Sequence, residues 1–193
     1  WVYGATTNPT LRALSNLSPE KTLLKMSKCF KGPVFYQLIG KTIDSMESEA
    51  KLASDILGKK LVLKIPATEL GFLATNRLSK TFTCAVTSIF TPAQAMVAHV
   101  SGACYALYYH NRAKKLLTNG KRLASELVKV LKNTSTKVVA ASLKSPEEVV
   151  EARLAGVSIL STSYKVLSEM VQHDLSDSAL QDFNQKGIGL ISQ

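Results

Sequence analysis

Lys64 lies near the end of an apolar run, Leu61-Val62-Leu63-Lys64-Ile65-Pro66-Ala67-Thr68, where a buried strand would normally carry no charge. Taking an amine out of water disfavours its ammonium form, so a lysine at the mouth of such a strand has a lowered pKa and becomes a nucleophile toward carbonyl carbon. The product of that attack is a Schiff base. A snorkelling strand-end lysine with its head in water is the alternative on this stretch alone.

The other β-rich runs decide between the two. They are Val2 to Thr7, Val34 to Ile39, Phe82 to Thr87, Tyr105 to His110, Lys137 to Ser142 and Ser158 to Thr162, each followed by a helical pattern. Asp44 to Leu57 places Met46, Ala50, Ala53 and Leu57 on one side and stops at Gly58. Thr91-Pro92-Ala93-Gln94 reads as a capping box opening a helix that ends near Gly102, and Ser145-Pro146-Glu147-Glu148 repeats the device for a helix closing near Gly156. Met26, Met46, Met96 and Met170 read as helix core positions, and His99, His110 and His173 as structural or surface residues outside any ligand spacing.

Apolar strands alternating with helices indicate a parallel sheet covered by helices. Neither GxGxxG after the first strand nor a Walker A motif occurs, which takes support from nucleotide-binding open sheets and leaves an α/β fold of the (β/α)8 TIM-barrel kind. Seven strands are visible where eight are needed, and Trp1 directly precedes the first. An initial strand therefore counts as absent from this sequence, with further N-terminal residues expected. The whole of 1–193 reads as one barrel domain with a helical tail from about Ser176, in which Ala179, Leu180, Phe183, Ile188, Leu190 and Ile191 either dock on another surface or close the barrel's own base.

Active sites of such barrels lie at the C-terminal strand ends. Read across, those ends give Thr6, Thr7 and Asn8, then Gln37, Lys64, Thr87, Tyr109 with Arg112, and Ser142. These suit a phosphorylated sugar: an amine for the carbonyl, hydroxyls and amides for the polyol, and an arginine fork for phosphate, where each charge-assisted bond is worth roughly 1.5 to 3 kcal/mol. Each also has a structural account. Thr7 and Asn8 can be turn and cap residues, Gln37 a polar residue satisfied by backbone, Tyr109 a packing residue, and Arg112 the partner of a helix carboxylate.

The ordered set GATTNPT (Gly4 to Thr10), LVLKIPAT (Leu61 to Thr68), VTSIFTPAQA (Val86 to Ala95), YYHNR (Tyr108 to Arg112) and AASLKSPEE (Ala140 to Glu148) resembles the transaldolase family, and more closely its small bacterial branch containing fructose-6-phosphate aldolase. That resemblance implies Lys64 as the Schiff-base lysine, Tyr109, Gln37 and Thr87 as the groups that hold and use a catalytic water, Thr6 and Asn8 as contacts to dihydroxyacetone, and Arg112 and Ser142 as the phosphate grip. It implies sugar-phosphate substrates, no cofactor or metal, and a homo-oligomer, pentameric or decameric. Glutamine at 37, where transaldolases usually place a glutamate, points to the aldolase. The family's first strand carries an aspartate that no residue here can represent, and Leu107 and Tyr108 depart from the aldolase branch.

The expected reaction is class I aldol cleavage of fructose 6-phosphate; the alternative is transfer of the dihydroxyacetone unit between sugar phosphates in the pentose phosphate pathway. A third reading is a basic barrel that holds phosphorylated ligands or nucleic acid without chemistry. The net charge of +10 and pI near 9.6 invite it, but the lysines are scattered over helix surfaces and turns, so no nucleic-acid partner is expected. With 46% hydrophobic residues, no run of membrane-span length and three dispersed cysteines, the chain reads as soluble, cytoplasmic and free of disulfides.

Overall fold

A computed structural model describes residues 2–188; Leu190 and Ile191 of the expected tail lie outside the described residues. Seven strands, β1 (Ala5–Thr6), β2 (Val34–Gln37), β3 (Leu61–Pro66), β4 (Cys84–Ile89), β5 (Tyr105–Tyr109), β6 (Lys137–Leu143) and β7 (Ile159–Thr162), pair in sequence order, all parallel. They curl into a nearly closed barrel flanked by helices. At the seam β1 and β7 share no ladder, and Thr6 Oγ1 and Ser161 Oγ meet at 3.0 Å instead.

Side chains two apart on a strand share a face, so each inner position recurs one layer higher. Phe35, Val62, Ala85, Leu107 and Val139 form an apolar plug, with Tyr105 and Ile159 packed on it. Two residues on come Gln37, Lys64, Thr87, Tyr109 and Ala141, the polar layer at the C-terminal mouth. Outward residues meet the helices: Val34, Leu38, Leu63 and Ile65 pack against Met46, Ala50 and Leu57 of α3 (Ile43–Leu57), and Val86, Ala106 and Ala140 against Ala95 and Ala98 of α5 (Pro92–Val100). Each large aliphatic side chain buried this way contributes about 1.5 to 3 kcal/mol.

The expected helix boundaries are largely met. Thr91 and Gln94 form the capping box of α5, and Gly102 follows its end at φ +90°. Ser145 caps α8 (Pro146–Leu154), but Glu148 takes the Lys144 N–H rather than returning to Ser145.

Four expectations are corrected. β1 is only two residues long. β4 and β6 run past Thr87 and Ser142, because Ser88 and Ser142 adopt φ of 63° and 60°, and the ladder resumes beyond each at Ile89 and Leu143. Met96 and Met170 are exposed, whereas Met46 is buried. Finally, the tail helix α10 (Asp174–Lys186) begins before Ser176, with His173 as its cap, and buries none of its residues, so it does not close the barrel's base.

Candidate active site

Lys64 projects into the barrel and is 5% exposed. Its inward direction follows from strand parity, two residues above the buried Val62. Burial pushes its pKa down to about 8, and the positive charge of Arg12 adds to that effect. Nζ donates to the Thr7 carbonyl at 2.6 Å, a neutral oxygen. Among the described residues no carboxylate pairs with it, so nothing rewards keeping the proton.

Around the amine stand polar atoms without protein partners. Gln37, directly cross-strand from Lys64, has a buried Oε1 that no donor reaches, and the fully buried Thr87 has an unpartnered Oγ1. Buried polar groups are normally satisfied, and an unpaired one costs about 1 to 3 kcal/mol. Orphaned acceptors beside a low-pKa amine mark where a ligand hydroxyl or a water belongs.

Tyr109 ends β5 and is partly buried, packed edge-on against Phe90, with the Arg112 guanidinium 5.0 Å from its ring centre. Arg112, in the first turn of α6 (His110–Leu116), is exposed and forms no ion pair among the described residues, so pairing with a helix carboxylate is not its role. The carboxylates of α8 are taken by others. Glu151 receives Lys114 at 2.6 Å and faces His110 Nε2 at 3.2 Å, while Glu148 accepts from Asn111. Ser142 sits at the β6 register shift with a left-handed φ of 60°, where regular strand alternation is interrupted.

On the opposite side the candidates divide. Thr6 points inward and reaches Ser161. Thr7 is structural, its Oγ1 donating to the Phe35 carbonyl at 3.0 Å. Asn8 caps α1 (Pro9–Ala13), accepting the Leu11 N–H at 2.7 Å, which commits Oδ1 to the backbone. Two site-facing groups escape sequence reading. Ser161 is signalled only by its spacing from Ile159 on β7. Arg12 is signalled by Pro9, for a reason given below.

The family model for transaldolase/fructose-6-phosphate aldolase matches residues 1–190. A protein named probable transaldolase from Caldicellulosiruptor saccharolyticus is 33% identical over 186 residues, covering 94% of this chain and 85% of that one. Another of the same name from Kosmotoga olearia is 31% identical over 198 residues, covering 98% and 90%. Among solved structures, a mandelate oxidase mutant with benzaldehyde superposes with a TM-score of 0.58 at 13% identity, over 72% of this chain and 51% of that one, so the chain spans about half of that protein and the likeness concerns the fold. Together with the ordered motifs and the buried lysine, these matches place the chain in the transaldolase/fructose-6-phosphate aldolase family, a family of enzymes.

Proposed function

We propose that the chain is a transaldolase that moves a dihydroxyacetone unit between sugar phosphates through an iminium on Lys64. The observation that carries this reading is the buried amine, largely free of competing partners and able to lose its proton near neutrality. Neutral Nζ attacks the C2 ketone of a ketose phosphate, and loss of water leaves a protonated imine that acts as an electron sink. The bond between C3 and C4 breaks as the C4 hydroxyl gives up its proton; its electron pair flows into the iminium, an aldose phosphate leaves, and an enamine remains. A second aldose phosphate, attacked by that enamine, restores the C–C bond, and water returns the amine.

Tyr109 is the residue proposed to exchange the proton through a water held by Gln37 and Thr87, since an amide can orient water but not accept its proton. Thr6 and Asn8 are assigned to the dihydroxyacetone end, Arg112 and Ser142 to the phosphate. Non-catalytic ligand holding is set aside by membership of an enzyme family.

One observation favours a second reading. Glutamine rather than glutamate at 37, with its Oε1 unpartnered, suits an aldolase that protonates the enamine and releases free dihydroxyacetone from fructose 6-phosphate. Incubation with fructose 6-phosphate alone separates the two. Free dihydroxyacetone supports the aldolase, and turnover only after erythrose 4-phosphate is added supports the transaldolase.

Among the described residues no helix is long and apolar enough to cross a membrane. A cytoplasmic setting is proposed on the unpaired state of Cys29, Cys84 and Cys104. A homo-oligomer is proposed on α10, where Leu180 and Phe183 stand exposed. Light scattering on Phe183→Asp tests it, with a smaller particle expected and an unchanged mass contradicting it.

A further inference from the structure

Arg12 occupies an unusual place beside the lysine. The β1–β2 ladder runs Ala5 N–H to Pro33 carbonyl, then Thr7 N–H to Phe35 carbonyl, both at 2.9 Å. In a parallel ladder the next donor is the N–H of residue 9, aimed at the Gln37 carbonyl. Residue 9 is proline and has none. Arg12, one turn into α1, fills the vacancy: Nη2 donates to the Gln37 carbonyl at 3.2 Å, and the guanidinium lies 4.4 Å from the centre of the Tyr36 ring.

The charge so placed is not neutralised by an ion pair. Among the described residues Arg12 forms none, and its Nε is buried with no acceptor. The carboxylate behind β2, Glu49 of α3, is engaged elsewhere, accepting from the Tyr36 hydroxyl at 2.7 Å and from the N–H groups of Ile39 and Gly40. Arg12 is thus the charged group that acts on Lys64, with Tyr36 and Glu49 facing Arg12 from behind, while Tyr109 and Arg112 stand together at the end of β5. Gln37, the residue Arg12 grips, is the cross-strand neighbour of Lys64, and Thr7, the residue Lys64 grips, leads into Arg12's own helix.

We propose that Arg12 is a positioning residue that supplies the ladder bond Pro9 cannot make and thereby fixes a positive charge beside Lys64. This rests on the reading of Lys64 as the Schiff-base lysine. The same guanidinium links two jobs, holding the β1–α1 turn whose Thr7 carbonyl orients Nζ, and opposing a second positive charge one strand away.

The test is an NMR titration of the lysine Cε resonances in the unliganded protein, with Lys64 assigned by the signal lost in Lys64→Met. The midpoint expected for the native chain is about 8. Arg12→Gln keeps a donor for the Gln37 carbonyl but no charge; its Lys64 midpoint moves up toward the ordinary lysine value, lowering the free amine at pH 7 by about threefold or more. Arg12→Lys keeps the charge and holds the midpoint near the native one. The acidic limb of kcat/KM moves with the midpoint, whereas a purely structural role lowers kcat/KM by the same factor at every pH. A native midpoint in folded Arg12→Gln overturns the proposal. Should that variant not fold, Arg12→Met, which keeps the apolar stem and lacks the charge, decides, a native midpoint overturning the proposal and a raised one supporting it. Borohydride trapping of the native chain with a ketose phosphate stands apart: its failure removes the Schiff-base reading, while the titration still reports on Arg12.

Discussion

Two arginines, Arg12 near Lys64 and Arg112 just beyond the end of β5, are held in opposite ways. Arg12, on the β1–β2 side, lies against the Tyr36 ring, bonds a backbone carbonyl and buries its Nε. Arg112, at the end of β5, lies over the Tyr109 ring and is exposed. A charge fixed by its own protein acts as a constant field on its neighbours. One that is left free is available to a ligand. On the roles proposed above, the same residue type divides between setting the amine and gripping a phosphate, according to what the adjoining strand leaves unsatisfied.

The amine near Arg12 is the first place to break this comparison. Lys64→Met removes the group whose protonation burial and Arg12 oppose. Below about pH 8 the folded and unfolded chains both hold the Lys64 proton, and its burial cost is present in full. Between about 8 and the ordinary 10.5 the folded chain has released the proton while the unfolded chain keeps it, so native stability rises with pH; above that range the contribution is flat. At 1.36 kcal/mol per pKa unit the gap amounts to about 3 kcal/mol. Lys64→Met should therefore unfold later than the native chain at pH 7, and denaturant titration should show the advantage shrinking as pH rises through that window. A pH-independent difference contradicts the assignment.

Arg112→Ala sharpens the contrast from the other side. Loss of a charge-assisted phosphate bond costs about 1.5 to 3 kcal/mol, so KM for a sugar phosphate should rise roughly tenfold to a hundredfold with kcat little changed and the Lys64 titration unmoved. If the titration moves as it does in Arg12→Gln, the division of roles is wrong.

The smallest effects concern backbone strain at Ser88 and Ser142, which with Asn133 are the non-glycine residues at positive φ among the described residues. A non-glycine residue in the left-handed region costs about 1 kcal/mol or more, so glycine at either position should raise Tm by a few degrees. Ser142→Gly should also weaken phosphate binding, whereas Ser88→Gly should not. Equal effects of both on KM would show that Ser142 contributes its bend and not its hydroxyl.

Much of this arrangement is legible in the residues. Capping boxes, apolar strands and the lone lysine in Leu61 to Thr68 fix the alternation and the central group, because periodicity and desolvation are local properties. The strand ends are less legible. β4 and β6 continue through serines at positive φ, a conformation without a strong residue signature, so the pairing partners beyond them supply the evidence. Arg12 is hidden for another reason: its position depends on a donor missing three residues earlier and on a carbonyl 25 residues away. Pro9 is the only local trace. Likewise the tail's apolar residues carry no local sign of the surface they meet, and only the observed exposure of α10 excludes the barrel's own base.

The most direct measurement is borohydride reduction in the presence of fructose 6-phosphate, followed by peptide mapping. The account predicts one stable adduct on the peptide carrying Lys64, absent from Lys64→Ala. An adduct on another lysine, or an unchanged adduct in Lys64→Ala, contradicts it.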